Sequence, residues 1–399
     1  MKTGPFGTQM HASDYVEEGT PVINVRNIGF GSVVPEKLEY IGEETVDRLK
    51  GHLLRTNDIV FGRKGAVERH ALIRDQQDGW FQGSDCLRLR INSPELSPMF
   101  VSYSFLTHSH QKWMMNQCSH GATMASLNQA IVCRIPLRFP DLRTQDTISG
   151  LLSAYDDLIE NNTRRITILE QIAQMIYREW FVNFRFPGHE KVRMAKSELG
   201  QIPQDWRVER LDKLARITMG QSPPSEYYNT EGKGLPFHQG VTDFGELFPE
   251  NQTYCTLEQR IADAGDILLS VRAPVGRLNI TLSKIVIGRG LCALRSLLGW
   301  QPLLFQQLTD RFHEEDTMGS GTIFKAVTKE DICGLPFLCP EASIGGRFTE
   351  LIGPMFEELE VLSAQISNLR QTHDLLLPKL ISGQVSVEHL ETKTAAQVS

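Results

Sequence analysis

Two short basic loops are the segments of this sequence best suited to contact an anion. The first runs Gly62-Arg63-Lys64-Gly65, and the second runs Ser270-Val271-Arg272-Ala273-Pro274. An arginine guanidinium presents a planar fork that matches guanine N7 and O6 or a phosphate. The loops therefore predict DNA contacts, although a solvated surface turn remains the alternative for each. The predicted contact residues are Arg63, Lys64, Arg69, Arg272 and Arg277.

Polar residues that follow apolar runs form a second set of candidates. Asn24 and Arg26 follow one such run, and His238 and Gln239 follow another. Asn and Gln side chains can bridge adenine N6 and N7, which is why these positions suit base contacts. Small-residue turns around Thr123 and Lys325 suit phosphate binding through backbone N–H groups. For all of these positions an ordinary strand end or turn is the alternative.

Signatures of catalysis are absent from the sequence. There is no P-loop, no G-x-S-x-G and no H-E-x-x-H pattern. Ser222-Pro223-Pro224-Ser225 resembles the tetrapeptide of amino-group DNA methyltransferases but has serine where the stacking aromatic belongs. His108 and His110 have no cysteine beside them. We therefore assign no catalytic residue, metal or cofactor to this chain.

Composition sets the broad class. The 399 residues are 41% hydrophobic and 22% charged, as in soluble globular proteins, and the net charge is −7. No apolar run is long enough to cross a membrane, and the N-terminus lacks a signal-peptide pattern. The seven cysteines are scattered without a C-x-x-C pair, which indicates reduced thiols in the cytoplasm.

The chain contains an internal repeat. Its offset drifts from 215 to 200 residues, so the second copy carries extra loop residues in its first half. The matched segments are Gly19-Thr20-Pro21 with Gly234-Leu235-Pro236, Asn57-Asp58-Ile59 with Gly265-Asp266-Ile267, and Gly121-Ala122-Thr123 with Gly321-Thr322-Ile323.

Each copy ends in a heptad pattern. Apolar residues recur at alternating spacings of four and three, which predicts two long helices that pair as a coiled coil. Ordinary core helices are the alternative. The first seam is Ile148, Leu152, Tyr155, Ile159, Asn162, Ile166, Leu169, Ala173 and Ile176. The second is Phe348, Ile352, Met355, Leu359, Leu362, Ile366, Leu369, His373 and Leu376.

These patterns predict an α/β (α+β) fold with two similar domains. The two long helices would separate them and form an antiparallel intramolecular coiled coil, with the domains in a pseudo-two-fold arrangement. The predicted segments are domain 1 at 1–143, helix 1 at 144–186, domain 2 at 187–343, helix 2 at 344–383 and a polar tail at 384–399.

The predicted architecture suits recognition of a split DNA site. A seam of 29 residues from Ile148 to Ile176 makes a rod of about 43 Å, which is of the order of one turn of B-DNA. Because the two domains differ in sequence, the two half-sites are expected to differ as well. The recognised DNA site would be asymmetric and bipartite, with a central stretch of bases that neither domain reads.

Several motifs resemble those of one protein family. They are Gly4-Pro5-Phe6-Gly7-Thr8-Gln9, Asp58-Ile59-Val60-Phe61, Gly265-Asp266-Ile267-Leu268, Gly121-Ala122-Thr123, Gly200-Gln201-Ile202-Pro203-Gln204-Asp205-Trp206 and Leu375 through Gly383. With the order domain, helix, domain, helix, the sequence resembles the specificity (S) subunit of type I restriction-modification enzymes.

The resemblance implies a non-catalytic protein of phage defence. Two target recognition domains would each read one half of a double-stranded DNA site, and the coiled coil would dock two adenine methyltransferase (M) subunits. S-adenosylmethionine, ATP and Mg would be bound by partner subunits, the last two by motor-nuclease (R) subunits. A coiled-coil scaffold that binds proteins and not DNA is the alternative.

Three details depart from the family pattern or refine it. The second domain begins with a head, 199–217, that has no counterpart before Gly4, so the first domain would lack a strand or helix. Pro354 stands where the first helix has Ala154, which predicts that the second helix bends or starts near Gly353-Pro354. Asn162 within the apolar seam would fix the helix register.

Overall fold

The computed structural model describes residues 1–5, 9–118, 125–317 and 327–387, without side-chain detail for 313–317. The chain divides into two compact units. The first unit is Met1–Ile159 with the described part of Asn368–Ser399, and the second is Glu160–Ser367. Each unit therefore contains one globular domain and a portion of both long helices.

The globular part of the first unit is built on two sheets. The five-stranded sheet has the order Lys2–Thr3, Cys86–Leu89, Ile59–Gly62, His70–Leu72, Phe30–Gly31. The four-stranded sheet has the order Tyr15–Val16, Glu39–Ile41, Thr20–Ile23, Phe81–Gln82. The α-helices before the first long helix are Glu43–Arg48, Pro98–Leu106, His108–Cys118 and Gln129–Val132. Apolar strand residues and the two longer of these helices share a core around Phe61, Leu87 and Phe105.

The second unit repeats this plan with additions. Its four-stranded sheet has the order Ala215–Met219, Leu291–Ser296, Ile267–Ser270, Leu278–Ile280. Its five-stranded sheet has the order Tyr228–Asn229, Tyr254–Cys255, Leu235–His238, Ile285–Ile287, Ile261–Ala262. Two further strand pairs are Met194–Ser197 with Gly200–Pro203 and Arg207–Arg210 with Pro336–Cys339. The α-helices of its globular part are Leu211–Leu214, Gln301–Thr317 and Lys329–Cys333.

The head of the second domain accounts for one difference between the units. Its strand Arg207–Arg210 pairs with Pro336–Cys339, and Ala215–Met219 forms the edge of the four-stranded sheet. In the first unit Lys2–Thr3 occupies that edge position beside Cys86–Leu89. Residues 136–140, which match 336–340, are not part of a strand.

Two long helices bear the heptad seams. The first is Leu142–Tyr177, followed by a π-helical turn at Arg178–Val182, and the second is Ala342–Ile381. The pattern of buried and exposed residues is nearly the same along the two helices when positions 200 residues apart are compared. At the end of the first seam, Ala173 and Tyr177 are buried while Ile176 is half-buried.

The two helices pack antiparallel within each unit. In the second unit Asn162 Nδ2 donates to Gln365 Oε1 at 3.1 Å, and Arg165 pairs with Glu358. The buried Asn162 is thus hydrogen-bonded to the facing helix, as a register-fixing residue requires. In the first unit Ile148 and Leu152 share a cluster with Leu377 and Leu380.

The helix containing Pro354 begins at Ala342, so it does not start near Gly353-Pro354, and a bend there stays a prediction. A proline inside a helix removes one main-chain hydrogen bond and crowds the carbonyl of the residue four positions earlier. Pro354 and Glu350 are both exposed, so water can solvate the freed carbonyl. Burial of Phe348 and Ile352 anchors the turn that precedes the proline.

Candidate nucleic-acid interface

Three loops meet at one place in the first unit, which we call the first loop junction. They are the segment after strand Thr20–Ile23, the segment after strand Ile59–Gly62 and the turn 83–85. Main-chain bonds hold them together: Gly83 N donates to Ile23 O at 2.9 Å, and Arg63 N donates to Asp85 O at 2.8 Å.

The second unit repeats this arrangement in the second loop junction. Here the turn is 288–290, and the two strands are Leu235–His238 and Ile267–Ser270. Gly288 N donates to His238 O at 2.8 Å, and Val271 N donates to Gly290 O at 2.9 Å. The same main-chain frame therefore presents a different set of side chains in each unit.

Close backbone approach explains why glycine lies in both turns. A Cβ on Gly83 would come within 2.3 Å of Asn24 Oδ1, and one on Gly288 within 3.0 Å of Gln239 Oε1. A Cβ on Gly220, which precedes the second junction, would lie 2.1 Å from Gly288 O. A larger residue at these positions would push the loops apart.

The predicted polar residues of the first junction are paired with carboxylates. Lys64 Nζ lies 3.4 Å from Asp85 Oδ1. Asn24 Nδ2 donates to Glu39 Oε2 at 2.6 Å, and Arg26 lies 2.9 Å from Glu39 Oε1. The neighbouring Arg63 is half-buried. At least two of the three cations at this junction are therefore paired with a carboxylate.

The second junction carries exposed donors. Arg272 and Gln239, both predicted from the sequence, are exposed here. The Ser222 hydroxyl donates to Gln239 Oε1 at 3.0 Å and accepts a bond from the backbone N–H of Arg289 at 3.2 Å. Sequence reasoning missed Ser222 and Arg289 as members of this site. The glycines that flank Arg289 were the available signal, since this turn matches 83–85.

The structure does not bring His238 to this surface, which corrects the prediction that it contacts DNA. Its side chain is completely buried, and its Nε2 lies 2.9 Å from Asn251 Oδ1. Burial lowers the pKa of this imidazole, so it is neutral near pH 7. His238 belongs to the last position of a strand that is packed on both faces, and it supports the loop instead of facing solvent.

Arg69 and Arg277 lie beyond the junctions. The Arg69 guanidinium stacks over the exposed Phe30 ring, 5.3 Å from its centroid. Arg277 lines a groove of about 740 Å³ within the second unit, together with Glu170 and Glu246. Burial in this groove and the Glu246 charge raise the pKa of Glu170. An acidic lining does not suit phosphate. Thr123 and Lys325 lie outside the described residues.

The Asp-Ile motif that marks each copy has a structural role. Asp58 is buried, accepts two bonds from Arg90 at 2.6 Å and accepts another from the backbone N–H of Arg55 at 2.8 Å. Asp266 makes the matching ion pair with Arg295. Each pair ties the start of the strand that leads into the basic loop to its neighbour strand.

In the described part of the chain, no three His, Cys, Asp or Glu side chains converge as a metal site requires. All seven cysteines are free thiols. None of the helices among the described residues is long and apolar enough to span a bilayer.

Comparison with known proteins shows which family the chain is similar to. Residues 11–171 match the model of the type I restriction modification DNA specificity domain. The type I restriction enzyme MjaX specificity subunit of Methanocaldococcus jannaschii is 29% identical over 93% of this chain and 88% of its own length. The MjaIX specificity subunit of the same organism is 26% identical over 73% of this chain and 70% of its own.

A solved structure shares the fold. The type I restriction-modification system S subunit from M. genitalium superimposes with a TM-score of 0.63 at 16% identity, covering 95% of this chain and 92% of that one. The predicted class of two mixed α/β domains with two long helices is thereby confirmed. Over most of its length the chain is similar to the specificity subunits of type I restriction-modification systems.

Proposed function

We propose that this chain is the non-catalytic DNA-recognition subunit of a cytoplasmic type I restriction-modification complex. Its two globular domains each read one half of an asymmetric, bipartite duplex site. The observation that carries the proposal is the recurrence of one main-chain frame with two different sets of polar side chains. A repeated frame with changed side chains is what two related readers of different half-sites require.

The long helices suit the docking of methyltransferase subunits. On the first long helix Ile168 and Met175 are 44% and 59% exposed and point away from the buried seam. The half-buried Ile172 lies between them along the helix. Apolar residues at spacings of four and three, two of them exposed, match the face that another amphipathic helix would cover. S-adenosylmethionine would then be bound by the methyltransferase, and ATP and Mg by motor-nuclease subunits when these are present.

Methylation mapping tests the recognition role. Methylated adenines are mapped in cells that express the partner methyltransferase with and without this chain. A split, asymmetric motif that depends on the chain is the expected result. An unchanged map, with the methyltransferase shown to be active by other means, would contradict DNA recognition and favour a protein scaffold.

A double variant, Ile168→Asp with Met175→Asp, tests the docking role. We expect the motif to disappear from the map while DNA binding by the purified chain persists. Glu160→Gln, an exposed change on the same helix, serves as the control and should leave the map unchanged. Persistence of the motif in the double variant would show that the methyltransferase docks elsewhere.

A further inference from the structure

We infer that the two loop junctions read opposite hydrogen-bonding features of the bases. The first would present carboxylate acceptors, Glu39 and Asp85, to exocyclic amino groups. The second would present donors from Arg272, Arg289 and Gln239 to the acceptor edge of purines. This inference rests on the proposed recognition function and deepens it, because it names the side chains that distinguish the half-sites.

The two sets can be compared because the frame is shared. Glu39 lies opposite Val22 on the neighbouring strand, and the matching strand of the second unit brings Thr253 against Phe237. The backbone carbonyl of Asp85 accepts a hydrogen bond from the N–H of Arg63, and in the second unit the carbonyl of Gly290 accepts the equivalent bond from Val271. Both carboxylates of the first junction are thus replaced by uncharged residues in the second.

The acids of the first junction remain available to a ligand. The Glu39 and Asp85 side chains are 44% and 47% exposed, although each pairs with a cation. A carboxylate has about four acceptor sites, so one ion pair leaves capacity for another donor. Glutamate and aspartate accept from cytosine N4, which makes these two groups suited to amino-bearing base edges. Their cations fix the orientation of the carboxylates and cancel their repulsion for the DNA backbone.

The second junction offers mainly donors. Within the described residues no carboxylate lies at ion-pair distance from Arg272 or Arg289. Gln239 Oε1 accepts from Ser222 and keeps one further acceptor site, while its Nε2 group can donate to a purine N7. Guanidinium groups bind guanine N7 and O6 in a bidentate manner. All three side chains therefore favour purine acceptors in the major groove.

Methylation maps of four variants of the full chain, each expressed with its methyltransferase, test the assignment. Glu39→Gln and Asp85→Asn should relax one half of the motif, and Arg272→Gln and Arg289→Gln should relax the other. The unchanged half-site in each map is an internal control for folding and assembly. Absence of any motif with the unaltered chain would contradict the proposed function itself. If both pairs of variants relax the same half of the motif, or neither half, only this inference would be overturned.

Modified duplexes then test the polarity. Replacing purines by 7-deazapurines removes the N7 acceptor and leaves base pairing intact. We expect about a tenfold or greater loss of affinity when the half-site of the second junction is modified. The half-site of the first junction should tolerate the same change within about twofold. Equal losses at the two half-sites would overturn the inference even if the variant maps separate.

Discussion

The two loop junctions have the same main-chain frame but differ in whether their cations are paired with carboxylates. In the first, Lys64 and Arg26 are each paired with a carboxylate, whereas in the second Arg272 and Arg289 are exposed. Glycine contacts and main-chain bonds hold the frame, so its exposed side chains can differ between the units while the frame is kept. The comparison teaches that such a surface can change its ligand chemistry without a change of architecture.

The largest expected effect concerns the ion pairs beneath the junctions. Asp58→Asn and Asp266→Asn should each destabilise their own unit by about 1–3 kcal/mol, because each removes the buried carboxylate charge that accepts from a partly exposed arginine. Hydrogen exchange measured peptide by peptide reports the two units separately. Asp75→Asn and Asp205→Asn, at exposed positions, are the controls. Equal loss of protection in both units after either change would show that the frames do not stand independently.

Lowering the pH should destabilise the first unit more than the second. Burial lowers the pKa of His70 to about 3 and that of His110 to about 4, from 6.5. These imidazoles stay neutral in the folded first unit while the unfolded chain binds protons, so stability present above pH 6.5 is lost as pH falls. The loss is about 2 kcal/mol per histidine at pH 5.

Exchange protection at pH 7 and pH 5, corrected for intrinsic rates, measures this difference. The first unit should open before the second, in which His238 is the buried imidazole at the junction. His70→Gln should reduce the pH dependence of the first unit. Earlier opening of the second unit would contradict the assignment.

A change in the frame itself should be specific to one half-site. Gly220→Ala places a methyl group against Gly288 O and should cost the second unit about 1–3 kcal/mol through overpacking. We expect the half of the methylation motif read by the second junction to weaken. Gly240→Ala, where the added methyl group meets no atom within 4 Å, is the control. A neutral Gly220→Ala would show that the frame tolerates separation of its loops.

The smallest expected effect is on salt dependence. Arg272→Ala and Arg289→Ala should each reduce the slope of log affinity against log salt by at most about 0.9, the value for one phosphate contact, because both arginines are assigned to base edges. Lys64→Ala should change the slope less, because Asp85 already pairs with that ammonium group. Titrations of the purified chain with duplex at several salt concentrations compare the three. A larger effect for Lys64→Ala would reverse the proposed contrast between the junctions.

Much of the fold could be predicted from the sequence. Heptad spacing in two copies indicated both long helices, since an apolar stripe at that period must be buried against another helix. The start of the second helix was misjudged because sequence does not show that Pro354 faces water. Helix propensity penalises proline, but burial on the other face outweighs that penalty here.

The candidate site was harder to predict. Gln239 and Arg272 were predicted because their types suit DNA, and both are exposed, whereas the adjacent His238 points into the protein. Arg289 was missed because its turn becomes part of the site only through main-chain bonds to two distant strands. Local sequence does not show which turn contacts two distant strands, or which cations are paired with carboxylates.

The stretch at 136–140 has a consequence for handling the protein. Among the described residues Leu137, Arg138 and Phe139 make no main-chain hydrogen bond, and the Phe139 side chain is 44% exposed. An extended segment with free N–H and C=O groups is a template for strand addition and aggregation. The isolated chain should therefore aggregate more as its concentration rises, and a charged residue in place of Phe139 should reduce this aggregation.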